Sequence, residues 1–145
     1  MNSNKRSVTV SANSIGVDSG MIMVGDLRYL DSVPLRDDRA ALDISGQIFD
    51  QLLIPGLYEL TWNIPETYNG DIKGHRTLDV RTGDIFVCDP CYIIGGPDEE
   101  WMDWLNANDY GRDLKSDEVM IIDEMGGDGC YKVMLSFRRI GDLKK

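Results

Sequence analysis

Two stretches of the chain carry apolar side chains at every second position, with mostly polar residues between them. Tyr131, Val133, Leu135 and Phe137 are interleaved with Lys132, Met134, Ser136 and Arg138, while Tyr58, Leu60 and Trp62 are interleaved with Leu57, Glu59 and Thr61. A period of two predicts strands with one face buried. MIMVGD (21–26) and DIFVCD (84–89) are apolar at nearly every position instead, which predicts strands buried on both faces. Each follows a short turn, Asp18-Ser19-Gly20 or Arg81-Thr82-Gly83, that closes an earlier strand at Ile15–Val17 or Leu78–Val80. The glycines supply the positive φ of tight hairpin loops. An Asp ends each second strand, and Asp89-Pro90 is a turn signal. Asp128-Gly129 is a favoured hairpin pair and predicts a last hairpin.

One helix stands out. Gly96-Pro97-Asp98-Glu99-Glu100 opens it, with proline at the first position and carboxylates at the positive end of the helix dipole. Trp101, Trp104, Leu105 and Asn108 then share a face opposite Glu99 and Asp103, and Gly111 stops it. A weaker counterpart runs from about Leu35 to Leu42.

The chain also resembles itself. Residues 17–42 lie over 80–105 at an offset of 63 with eight identities in 26 columns, among them Gly20/Gly83, Asp26/Asp89 and Tyr29/Tyr92. Residues 48–60 lie over 121–133 at an offset of 73, matching Ile48/Ile121, Asp50/Asp123, Gly56/Gly129 and Tyr58/Tyr131. The sequence therefore reads as a single domain, 1–145, with one copy of a unit at about 8–64 and a second at about 71–139. A unit that short rarely supports its own core. The expected class is α+β and β-rich: a duplicated β-hairpin/helix/β-hairpin unit forming a pseudo-twofold sandwich or barrel.

The VDSG turn (17–20), the DPCY box (89–92), a following Trp101 or Trp104 and the GDGCYKV segment (127–133) resemble a group of short phage and bacterial proteins. That group carries the same motifs and has no established activity. In the first copy the box reads GDLRY (25–29), so the intact DPCY occurs only in the second. The resemblance implies a phage or mobile-element setting.

Charge sharpens the picture. The 15 basic and 25 acidic residues give a net charge of −10. Residues 97–130 alone hold eleven acids against Arg112 and Lys115, a net of −9, while 131–145 carry +4. This balance argues against direct binding to nucleic-acid phosphates, which needs clustered Lys and Arg. It suits a basic partner protein, reached by long-range attraction, with Asp98, Glu99, Glu100, Asp103, Asp117 and Glu118 imitating phosphates. The plainer reading of the same acids is a solvated surface. No apolar run approaches the roughly 20 residues of a membrane helix, and MNSNKRSVTV has no signal-peptide core. Three cysteines suit a reducing cytoplasm better than a disulfide framework.

Catalytic signatures are sparse: one His, and neither a GxSxG elbow nor a phosphate-binding glycine loop. Cys88 and Cys91 have a knuckle spacing, and His75 and Cys130 would complete a Cys3His zinc set. The same Cys88-Asp89-Pro90-Cys91 run has dithiol spacing, but Cys91 is followed by residues that read as extended, with no helix to lower a thiol pKa. The bland alternative is small core cysteines and a histidine in the glycine-rich loop 70–74. Asp26, Tyr29, Asp89 and Tyr92, matched between the copies, are candidates for a ligand site in the groove between them. Asp26/Asp89 and Asp50/Asp123 would serve acid–base or hard-metal chemistry, against the commoner use of Asp in turns. The favoured function is a small acidic, non-enzymatic binding or inhibitor protein acting on a host protein in the host cytoplasm. Binding of a small ligand or nucleotide between the two copies comes second and a metal-dependent enzyme third.

Overall fold

The computed structural model describes residues 7–32, 46–93, 100–107 and 117–143. It is β-rich. Strands β1 (Ser7–Val17), β4 (Gly56–Thr67), β5 (Gly70–Val80) and β8 (Gly129–Gly141) form one antiparallel sheet in the order β1-β8-β4-β5. The shorter β2 (Ile22–Asp26), β3 (Gln47–Phe49), β6 (Ile85–Cys88) and β7 (Val119–Ile122) form a second, in the order β3-β6-β2-β7. 3-10 turns follow β2 and β6 at Leu27–Ser32 and Pro90–Tyr92, and one α-helix, α1, spans Glu100–Ala107.

Binary pattern explains which strand joins which sheet. The long strands alternate, so their sheet buries Tyr58, Leu60, Leu78, Val133, Leu135 and Phe137 and leaves its other face in water. β2 and β6 are fully buried on both faces. One face joins the core against the long sheet through Ile22, Val24, Ile85 and Val87. The other holds Met23, Phe86 and Cys88, roofed by Leu30 and Ile93 from the 3-10 turns.

This sorting overturns the expected hairpins. β1 and β2 lie in different sheets, as do β5 and β6, and β7 and β8. Each short turn is a corner between layers, because a two-faced apolar strand cannot sit beside an amphipathic one in a half-solvated sheet. Gly20 and Gly83 do take the positive φ expected, +80° and +92°. Asp128-Gly129 leads into β8 and closes no hairpin, since β7 pairs with β2. Among the described residues the tight hairpin is β4–β5, which turns at Tyr68-Asn69 between the two matched segments. His75, expected in a loop, sits mid-β5 opposite Thr61.

The strand register follows the self-match. With the offsets of 63 and 73, Phe49 opposite Ile85 corresponds to Ile122 opposite Ile22, and Tyr58 opposite Leu78 corresponds to Tyr131 opposite Ile15. Val24 opposite Val87 and Trp62 opposite Leu135 map onto themselves. Both sheet orders read the same when the strands of one half are exchanged for those of the other.

Of the expected core, Tyr58, Tyr131, Ile22 and Ile85 are buried. Trp62 is only half-buried: it packs against the core from outside, with its ring over Gly74. The side chains of Trp101, Trp104 and Leu105, the weaker helix 35–42, and Pro97 to Glu99 lie outside the described residues. Helix α1 occurs within the span expected for it and lies against the Pro90–Tyr92 turn. No helix among the described residues is long and apolar enough to cross a membrane.

Candidate functional site

The most chemistry-like pair, Asp26 and Asp89, is fully buried. Asp89 sits at the end of β6, where its Oδ2 accepts the backbone N–H groups of Asp18 (2.6 Å) and Ser19 (2.8 Å). Its Oδ1 accepts the Ser19 hydroxyl (2.6 Å) and the Cys91 N–H (2.9 Å). Asp26, at the end of β2, repeats the pattern on the other corner. Oδ2 accepts Arg81 N–H (2.6 Å) and Thr82 N–H (2.8 Å), and Oδ1 accepts the Thr82 hydroxyl (2.9 Å) and Arg28 N–H (2.9 Å). Four donors converge on each carboxylate, which fills its accepting positions. The corner hydroxyls are oriented in turn: Ser19 Oγ accepts from Met21 N–H and Thr82 Oγ1 from Asp84 N–H. Both aspartates thus serve the turns, and neither lines a described cleft.

Their tyrosine neighbours diverge. Tyr92, half-buried, donates to the Asp18 carboxylate, and that bond, with burial, raises its pKa. Asp18 corresponds to Arg81 in the other half, so Tyr29 stands beside a different network. Glu118 bridges Arg28 (3.5 Å) and Arg81 (3.2 Å), and Arg81 also reaches Asp79 (3.6 Å). Arg28, Tyr29, Asp31 and Glu118 line a cleft of about 280 Å³. Of the four ligand candidates, Tyr29 alone borders a described cleft.

The zinc candidates are not brought together. Among the described residues no three His, Cys, Asp or Glu side chains form a metal-holding group. Cys88 is fully buried under the short sheet, and burial, with Asp89 and Cys91 beside it, pushes its thiol well above the usual range. Cys91 is buried in a 3-10 turn capped by Asp89, where an extended run was expected; Pro90 favours that start and Asp89 satisfies the Cys91 N–H. Cys130 is exposed at the start of β8, opposite Gly16, and His75 is exposed on β5.

The acidic candidates separate into groups. Asp98 and Glu99 lie outside the described residues, and Glu100 is described only as the first residue of α1. Asp103 and Asp117 are exposed, whereas Glu118 is committed to Arg28 and Arg81. Asp50 and Asp123, the other matched pair, are both exposed.

A second cleft, of about 320 Å³, was not anticipated. Glu66, Thr67, Tyr68, Asp128, Gly129, Cys130 and Tyr131 line it. It forms where the β4–β5 hairpin tip rests on the loop between β7 and β8. The Tyr68 ring lies against Gly127, where any Cβ would collide with it, and Asn69 Nδ2 donates to the Glu124 carbonyl (2.8 Å). Tyr131 donates its hydroxyl to the Gly127 carbonyl four residues back (2.7 Å), as Tyr58 does to Ile54 (2.8 Å), and burial raises both tyrosine pKa values. Tyr68 is 71% exposed. Glu66 takes a positive φ of 60° in the irregular stretch between Ile64 and Thr67, its N–H bonded to Asp71 (2.9 Å). The exposed ring beside a non-glycine positive φ was the missed signal, invisible until β4 and β5 are known to pair.

No family model, curated protein or solved structure matches the chain.

Proposed function

We propose that the protein is a small acidic, non-enzymatic binding protein that takes a basic side chain of a partner protein into the cleft between Glu66, Tyr68 and Asp128. The observation that carries this is the cleft itself: two carboxylate-bearing residues and an exposed phenol ring around about 320 Å³. A Lys or Arg placed there meets opposite charge and an aromatic face together. Asp123 and Glu124, both exposed, extend the negative potential along the adjoining loop. Four of the described arginines offer little internal compensation, for Arg28, Arg81, Arg138 and Arg139 are paired with Glu118, Asp79, Glu59 and Asp142. A surface of this kind speeds encounter with a basic partner and repels nucleic acid.

In this reading the chain is a duplicated unit folded as a pseudo-twofold sandwich; the matching register and reciprocal corners support it. The motif resemblance supports a phage-type inhibitor that acts on a host protein, one with a basic groove, in the host cytoplasm. Affinity capture from bacterial lysate tests the function, with wild type and a Glu66→Lys/Asp128→Lys variant side by side. A basic protein held at low salt, released as ionic strength rises and lost in the variant is expected. Equal capture by both forms would refute the cleft.

A further inference from the structure

We propose that β1 is a self-pairing edge: a second copy of this chain adds its own β1 antiparallel to the first, about a twofold axis at Thr9. Among the described residues β1 pairs only with β8 and forms the free edge of the long sheet. It is 11 residues long and carries no charge and no proline. Edge strands are normally blunted by charge, because their unpaired N–H and C=O groups template another strand. The opposite edge obeys that rule. β5, which corresponds to β1 in the other half, carries Asp71, Lys73, His75, Arg76 and Asp79. One of two matched edges is guarded and the other is bare.

The bare edge is also self-complementary. Ser7-Val8-Thr9-Val10-Ser11 reads the same in both directions. Antiparallel pairing about Thr9 sets it against the same residue of the second copy, Val8 against Val10, and Ser7 against Ser11. The register with β8 is unbroken from Ser7 to Ala12, so this stretch is regular, and the irregularity begins only beyond it. Val8 and Val10 are half-buried at the core margin, where the valines of a second copy would complete their cover. Ser7, Thr9 and Ser11 are exposed on the outer face, and Thr9 Oγ1 already lies 3.0 Å from Ser136 Oγ. Pairing would extend that hydroxyl row across the axis. A palindromic strand fits a copy of itself better than an unrelated extended peptide, and the charged second edge stops growth at two copies. At a net charge of −10 two copies repel each other, so an uncharged edge is the favourable line of approach.

Sedimentation velocity of the full chain across a wide concentration range tests this. A concentration-dependent dimer, strengthened by salt, is expected. Thr9→Lys puts two ammonium groups face to face and should weaken the dimer at least about tenfold while circular dichroism and Tm stay unchanged. In a Cys130→Ser background, Thr9→Cys should oxidise to a covalent dimer, since directly opposed Cβ atoms about 4.5–5.5 Å apart come near disulfide range. Thr77→Cys, on the charged edge, should form no covalent dimer in the same background. A chain monomeric at every concentration, a dimer that Thr9→Lys leaves intact, or a Thr9→Cys variant that does not cross-link would overturn the proposal.

Discussion

Asp26 and Asp89 each hold, with a buried carboxylate, the turn that leads into the other's strand. Asp89 binds the corner at Asp18-Ser19 before β2, and Asp26 binds the corner at Arg81-Thr82 before β6. β2 and β6 are hydrogen-bonded neighbours, so the two halves are clasped at both ends of one strand pair. The residues that look most catalytic in the sequence are thereby occupied by the fold.

Removing either carboxylate should be costly and similar on the two sides. Asp26→Ala or Asp89→Ala strips the acceptor from two corner N–H groups and a hydroxyl, at about 1–3 kcal/mol for each donor left dry. A net loss of about 2–4 kcal/mol in urea unfolding is expected, with faster amide exchange at Ser19 in the Asp89 variant and at Thr82 in the Asp26 variant. Exchange that speeds up at the mutated residue's own corner instead would contradict the reciprocal arrangement.

The two corner glycines should differ although they occupy matched positions. A Cβ on Gly20 meets nothing within 4 Å, so Gly20→Ala bears only its positive φ, about 1–2 kcal/mol. A Cβ on Gly83 would collide with the Leu53 carbonyl oxygen, part of a backbone segment with little room to yield. Thermal melts should show Gly83→Ala losing at least twice as much stability as Gly20→Ala; equal losses would mean that the Leu53 segment gives way.

Alkaline pH should unfold the protein through its tyrosines. Tyr58, Tyr92 and Tyr131 have pKa values raised above the usual 10 in the folded state. Their contribution is fully present below about pH 10, where the unfolded phenols are also protonated, and is lost as pH rises through the folded values. Tyr92→Phe removes the hydrogen bond to Asp18, so it should cost about 1 kcal/mol or less at neutral pH. The variant should also lose stability less steeply above pH 10. Parallel stability–pH curves for the two proteins would count against the Tyr92–Asp18 bond.

Much of the fold was legible because the hydrophobic pattern carries it. The apolar runs at 21–26 and 84–89 gave strands buried on both faces, and the offsets of 63 and 73 relate pairs in the register of both sheets once the pairing is known. The hairpins were misread because turn chemistry reports a chain reversal and says nothing about which sheet receives the next strand. Asp26 and Asp89 stood out as a pair, but that each serves the other's turn depends on contacts about 55 and 70 residues apart in sequence. The acidic cleft was hidden for the same reason. Glu66 and Asp128 meet only because the β4–β5 hairpin reaches over the loop before β8.

The proposed binding function is tested most directly by the association rate of a captured basic partner, measured for wild type and for a Glu66→Lys/Glu124→Lys/Asp128→Lys variant over a salt series. Charges at a rim act mainly on encounter, screened over about 10 Å at 0.1 M salt. The wild-type rate should fall steeply with salt, and the variant should associate at least about tenfold more slowly at low salt. Its dissociation rate should change less, and Tm should move little, because solvated substitutions cost about 0.5 kcal/mol or less. A variant that binds as fast as wild type, with the same salt dependence, would contradict the account and leave the acids to solubility alone.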